Sequence, residues 1–200
     1  MIRPAIKTDA NSIAKLHRDT LEKSFLSGLG VVFLSSLYNF LIKNELVLVY
    51  TENNILTGFV SFSKNSKGMM KRFLVNCPLC LFLLGIKILI QPTLLKRLIE
   101  TYRAPFKSEG STNLSKLPAS ELLSISVSPN CQAAGIGTQL ILLLENHLKA
   151  QEISRYKVIA GEELIGANRF YIKNGFTLIS QIKIHGNNFS NVYIKEIVNS

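Results

Sequence analysis

Residues 131–140 read CQAAGIGTQL and lie between two apolar runs, ELLSISV and ILLLENHL. Two glycines and a set of small side chains stand where a strand should give way to a helix. The first turn of a helix carries amide N–H groups with no intrahelical partner, together with the positive end of the helix dipole. Glycine and alanine at that point let the backbone itself approach an anion. Gln132, Ala133, Ala134, Gly135, Ile136, Gly137 and Thr138 therefore read as a seat for a phosphate or pyrophosphate. The dinucleotide fingerprint requires a third glycine, but Gly137 is followed by Thr138 and Gln139. The phosphate-binding pattern G-x-x-x-x-G-K-[ST] is absent too. From the loop alone, a tight strand-to-helix turn without a ligand accounts for the same residues.

The run Gln132-Ala133-Ala134-Gly135-Ile136-Gly137 matches Q/R-x-x-G-x-G/A and so resembles the GNAT N-acetyltransferase family, whose amides there hold the pyrophosphate of coenzyme A. ANRFYIKNGF, residues 167–176, is similar to that family's A-x-x-x-Y-x-x-x-G-F helix end. The resemblance is specific over 121–176, extends to 2–62 and 177–197, and is weakest over 64–118. FLSGLGVVFLSSLY and HGNN further resemble a bacterial branch found among surface-polysaccharide enzymes.

The resemblance implies roles for particular residues. Acyl-CoA would lie along the splayed end of a strand at Ile125, Ser126 and Val127, with the Val127 N–H polarising the thioester carbonyl. Tyr171 is at the usual general-acid position, where a phenol suits protonation of a thiolate leaving group. The same tyrosine, flanked by Phe170 and Phe176, also reads as a core aromatic. Glu121, eleven residues before Gln132, is at the offset of one branch's catalytic base, or is a solvated glutamate opening a strand. Glu162 and Glu163 compete for that role, or serve as helix N-terminal charges. One departure is Leu164, seven residues before Tyr171, where the family commonly has an asparagine that contacts the cofactor. His17, His147 and His185 show no metal-ligand spacing. His147 is expected to be exposed, His185 to precede a hairpin turn, and His17 to reach a substrate cleft or remain a core residue.

These residues need elements to position them. A short strand over 2–6 precedes a helix over 11–22, for which Thr8 and Asp9 are good N-caps. A second helix is expected over 28–43, then a hairpin whose turn lies at 52–54. Downstream the spacing predicts strand 121–127, helix 135–151, strand 156–160, helix 164–174 and a final hairpin of strands 177–185 and 189–196. The fold class expected is α/β with a mixed sheet, GNAT-like: about seven twisted strands flanked by helices, with a helical insert.

With 200 residues and 47% hydrophobic content, the chain suits one domain over 1–200, carrying the insert at 64–118. That insert holds ten Lys and Arg against Glu100 and Glu109, a net +8 of the chain's formal +10. It contains FLVNCPLCLFLLGIKILI and then, after Pro92, the amphipathic TLLKRLIETY. Three readings stand: burial against the domain or in a homodimer, a membrane span, or an interfacial hairpin making peripheral membrane contact through 73–104. Nucleic acid is not expected, because the basic residues alternate with aliphatics rather than exposed aromatics. Cys77 and Cys80 form a C-x-x-C without a second Cys/His pair and are expected to be ordinary buried thiols, as is Cys131. MIRPAIKTDAN has no apolar signal core, so the expected location is cytoplasmic, peripheral at the inner membrane face if the insert docks there.

The expected activity is transfer of acetyl from acetyl-CoA, as co-substrate and without a metal, to a primary amine by direct attack. The positive charge favours a small anionic acceptor such as an amino sugar on a nucleotide or lipid phosphate. The alternatives are a non-catalytic acyl-CoA-binding or membrane-docking protein and a protein N-terminal acetyltransferase.

Overall fold

The computed structural model describes residues 1–22, 24–90, 117–132, 134–185 and 188–197. Side chains alternate between the two faces of a strand, and this sorts the core into two layers. In β2 (Leu46–Glu52), Val47 and Val49 enter one cluster while Leu48 enters the other. Two helices, α1 (Ala10–Thr20) and α2 (Val31–Asn44), cover the first face through Ile13, Ala14, Phe33, Leu34 and Leu37. The second face is covered by α5 (Ile136–Ala150) and α6 (Ile165–Lys173), which contribute Leu140, Ile141, Leu144 and Tyr171.

The strands run β1 (Ile2–Pro4), β2, β3 (Ile55–Ser63), β4 (Glu121–Val127), β5 (Arg155–Gly161), β6 (Thr177–His185) and β7 (Asn188–Glu196), and lie in the order β1-β2-β3-β4-β5-β7-β6. Every neighbouring pair is antiparallel except β4 with β5. This is the expected mixed seven-stranded sheet, and the element boundaries agree to within a few residues. At the β2–β3 turn, Asn53 and Asn54 have φ of 49° and 64°, the left-handed pair that a two-residue hairpin turn requires.

Three expectations change. Asp9 does not cap α1 with its side chain; it accepts from the Ile6 N–H at 2.8 Å and from Arg3 at 2.7 and 3.0 Å. The run FLVNCPLCLFLLGIKILI is broken in two, into α3 (Met69–Asn76) and α4 (Pro78–Ile90), with a 105° bend. Pro78 explains the break, because it disfavours helix at the preceding residue while suiting the first position of a new one. That turn also brings Cys77 and Cys80 together, Cα atoms 5.3 Å apart, in a disulfide rather than as free thiols. No single helix among the described residues is long and apolar enough to cross a membrane. The base of the insert is closed by the Ser66 N–H bonded to Ala119 O at 3.0 Å. The helical run expected after Pro92 lies outside the described residues, as does Ala133 of the glycine turn.

Candidate active site

Strands β4 and β5 pair through two positions, Glu121 with Lys157 and Leu122 with Val158, and then part. The parting coincides with a bulge: Ser61 faces Ser124 and Phe62 faces Leu122, leaving Leu123 as the extra residue on β4. Such a residue bends its strand and strengthens the local twist, here away from β5. Beyond the bulge the Ser128 N–H donates to Thr57 O on the β3 side at 2.7 Å. Because amide directions alternate along a strand, the N–H groups of Val127 and Ile125 face the opening toward β5. Ser126 turns its hydroxyl to the opposite face, onto the Thr20 hydroxyl of α1. Val127 O accepts from Gln132 Nε2 at 3.2 Å, so the Gln132 side chain closes the turn.

Helix α5 begins at the same end of β4. Its N-cap is Gly135, in the left-handed region at φ +74°, with open space where a Cβ would stand. The bond from the Gln139 N–H to Gly135 O, 3.0 Å, starts the helical ladder, so the amides of Ile136, Gly137 and Thr138 precede it. No side chain caps this end, and the first turn has no acidic residue. Gly137 serves a different purpose from Gly135. A Cβ there would lie 3.0 Å from Phe170 Cε2, so Gly137 lets α5 pack closely on α6. Among the expected cofactor residues, Gln132, Ala134 and Gly135 are exposed, Gly137 and Thr138 are half-buried and Ile136 is buried.

Tyr171 of α6 is buried among Phe170, Phe176 and Tyr193. Among the described residues its hydroxyl has no hydrogen-bond partner. Burial, reinforced by Tyr193, holds the phenol above its ordinary pKa, so it remains a proton donor throughout the neutral range. The packing and acid readings therefore coexist at one side chain. Below it, Asn168 ties the helix to the sheet. Its Nδ2 donates to Gly161 O and Leu164 O at 2.8 Å, with a longer contact to Glu162 O at 3.3 Å, while Oδ1 accepts from Asn191 Nδ2 and Tyr193 OH at 2.8 Å. Sequence reading missed Asn168. The available signal was an asparagine inside a helix on the same face as Tyr171, since a buried amide there must find partners. Leu164, at the position of the missing family asparagine, is the N-cap of α6 and offers only backbone to this network.

The candidate bases differ in placement. Glu121 is at the closed end of the β4–β5 pair, 3.1 Å from Lys157 Nζ, which also donates to Pro118 O at 2.8 Å. Val127 is six residue steps further on, about 20 Å along β4. Glu162 and Glu163 are exposed just beyond β5, at the open end. His17 is fully buried, with Nδ1 2.6 Å from the Tyr38 hydroxyl and Nε2 3.1 Å from Ser24 Oγ. Burial lowers its pKa to about 4, so it is neutral and in the core rather than open to a cleft. His147 is partly buried on α5, with Nδ1 2.9 Å from Leu143 O. No group of three His, Cys, Asp or Glu among the described residues is arranged to hold a metal ion.

Residues 100–178 match the family described as the acetyltransferase (GNAT) domain. No curated protein matches the chain by sequence. Solved structures share the fold. An N-acetyltransferase from Staphylococcus aureus Mu50 aligns with TM-score 0.63 and 15% identity, covering 99% of this chain and 98% of that one. A ribosomal-protein-alanine N-acetyltransferase from Brucella melitensis aligns with TM-score 0.60 and 14% identity, covering 98% and 99%. A Salmonella typhimurium protein solved with its cofactor acetyl-CoA aligns with TM-score 0.57 and 14% identity, covering 100% and 95%.

Proposed function

We propose, since residues 100–178 match the GNAT acetyltransferase domain, that the chain acetylates a primary amine on a small anionic molecule, an amino sugar carried on a phosphate. The observation that carries this is the uncapped, acid-free start of α5 beside the opening between β4 and β5. A pyrophosphate fits the amides of Ile136, Gly137 and Thr138, with Ala134 and Gly135 leaving room for it. Acetyl-CoA supplies the activated acetyl group. The β4 amides, Val127 foremost, are fixed donors for its carbonyl and need no reorganisation during reaction. Tyr171 holds its proton for the departing thiolate. Receipt of the ammonium proton is better placed on Glu162 or Glu163 at the open end than on Glu121, whose carboxylate is engaged by Lys157 at the closed end.

The acceptor class rests on charge and on the resemblance of 25–38 and 185–188 to surface-polysaccharide enzymes. With a formal +10, the protein attracts anionic substrates and repels polyamines. A screen of thiol release with amino-sugar nucleotides, alanine-initiated peptides and polyamines tests it. Amino-sugar nucleotides should give the highest kcat/KM; a preference for peptides would make the chain a protein N-terminal acetyltransferase instead. Release with none of them would overturn the amine-acceptor reading for these three classes.

A further inference from the structure

Helix α4 carries apolar residues around nearly its whole circumference, and the protein covers one side of it. Cys80 and Leu84 are buried against the domain, and Lys87 Nζ reaches back to Gly28 O at 2.9 Å. At 3.6 residues per turn, Leu79, Phe82, Ile86 and Leu89 share the opposite side. They are 62%, 65%, 37% and 84% exposed, and Val75 beyond the bend is 72% exposed. A contiguous outward stripe of this kind marks an interaction surface. The described helix is about 20 Å long, shorter than the hydrocarbon core of a bilayer, and such a helix suits lying in the membrane surface.

Charge decides what covers the stripe. Residues 64–90 contain Lys64, Lys67, Lys71, Arg72 and Lys87 and no aspartate or glutamate. Arg72 is paired with Glu45, whereas Lys64, Lys67 and Lys71 are exposed with no side-chain partner among the described residues. A second copy docked symmetrically would set these cations against themselves. Residues 91–116 of the same chain are also net basic and would not neutralise them. We propose that α4 docks on an anionic lipid surface, its outward stripe at the acyl boundary and Lys64, Lys67 and Lys71 on the headgroups. The bond from Lys87 to Gly28 then holds the turn before α2 beside the membrane. This inference does not depend on the acceptor.

Flotation of the full chain with vesicles tests it, using phosphatidylcholine alone and with about one-third phosphatidylglycerol. Binding should require the anionic lipid and weaken with salt. Phe82→Asn with Leu89→Asn, and separately Lys64→Gln with Lys67→Gln and Lys71→Gln, should each weaken it at least about tenfold. Melting temperature and acetyl-CoA affinity should be unchanged in both. If a variant melts lower, the salt series on the unaltered chain decides. No recruitment to anionic vesicles, or equal flotation of either variant that melts as the unaltered chain does, would overturn the proposal. So would a dimer in light scattering that Phe82→Asn with Leu89→Asn makes monomeric, since the stripe would then belong to a second copy.

Discussion

Tyr171 is held by packing and proposed as the proton donor, and the two roles can be separated by experiment. Tyr171→Phe keeps the ring contacts with Phe170, Phe176 and Tyr193 and removes the proton. It should lower kcat by about a hundredfold or more while acetyl-CoA affinity changes by less than about threefold. Because the phenol is held above its ordinary pKa, kcat of the unaltered chain should not fall between about pH 8 and 10 through loss of this proton. Asn168→Ala should cost about 3 kcal/mol, since Tyr193, Asn191 and the carbonyls of Gly161 and Leu164 all lose a partner inside the protein. Thermal unfolding would read that as a fall of about 6–12 °C for a chain of this size. His17 makes a pH prediction of definite sign. Its folded pKa is lowered to about 4 from an ordinary 6.5, so the unfolded chain binds the extra proton between those values. Its contribution to stability is complete above about pH 6.5 and is lost, by about 3 kcal/mol, as pH falls toward 4. Melting curves of His17→Gln should be flatter across that window than those of the unaltered chain.

At the scale of elements, the two glycines that opened the sequence problem have different explanations. Gly135 supplies a left-handed N-cap, and an alanine there would carry about 1–2 kcal/mol of backbone strain without any clash. Gly137 allows α5 to approach Phe170, so Gly137→Ala should displace α6, and Tyr171 with it. The expected outcome is a several-fold lower kcat that Phe170→Leu partly restores. If the double variant is no better than the single, the glycine acts only through the pyrophosphate. Most strands and helices were legible because period and turn chemistry agree locally: ELLSISV gives β4 and the Asn53–Asn54 pair gives the hairpin. The glycine turn, Tyr171 and β4 were legible as motifs. The bulge at Leu123, the Asn168 network and the Glu121–Lys157 pair were not, because each depends on partners distant in sequence. The 105° bend was half legible: Pro78 marked a break, but FLVNCPLCLFLLGIKILI reads as continuous when scored by hydropathy alone.

For the whole molecule, the sheet opens where β4 parts from β5, and helix α5 starts at the end of β4 that forms this opening. The two apolar layers fix that geometry from both sides, α1 and α2 on one face and α5 and α6 on the other. The described part of the β3–β4 connection, α3 and α4, adds no strand to the sheet, and Ser66 bonded to Ala119 closes the base of that connection. Its charge sets the long-range field, and binding of anionic substrates should weaken as salt rises above about 0.1 M. The central claim is that the start of α5 seats the pyrophosphate of coenzyme A. Calorimetric titration with acetyl-CoA and CoA, beside NADH, tests it most directly. Micromolar binding of both CoA species and none of NADH is the predicted result. Absence of binding by either CoA species in a folded sample would contradict the account.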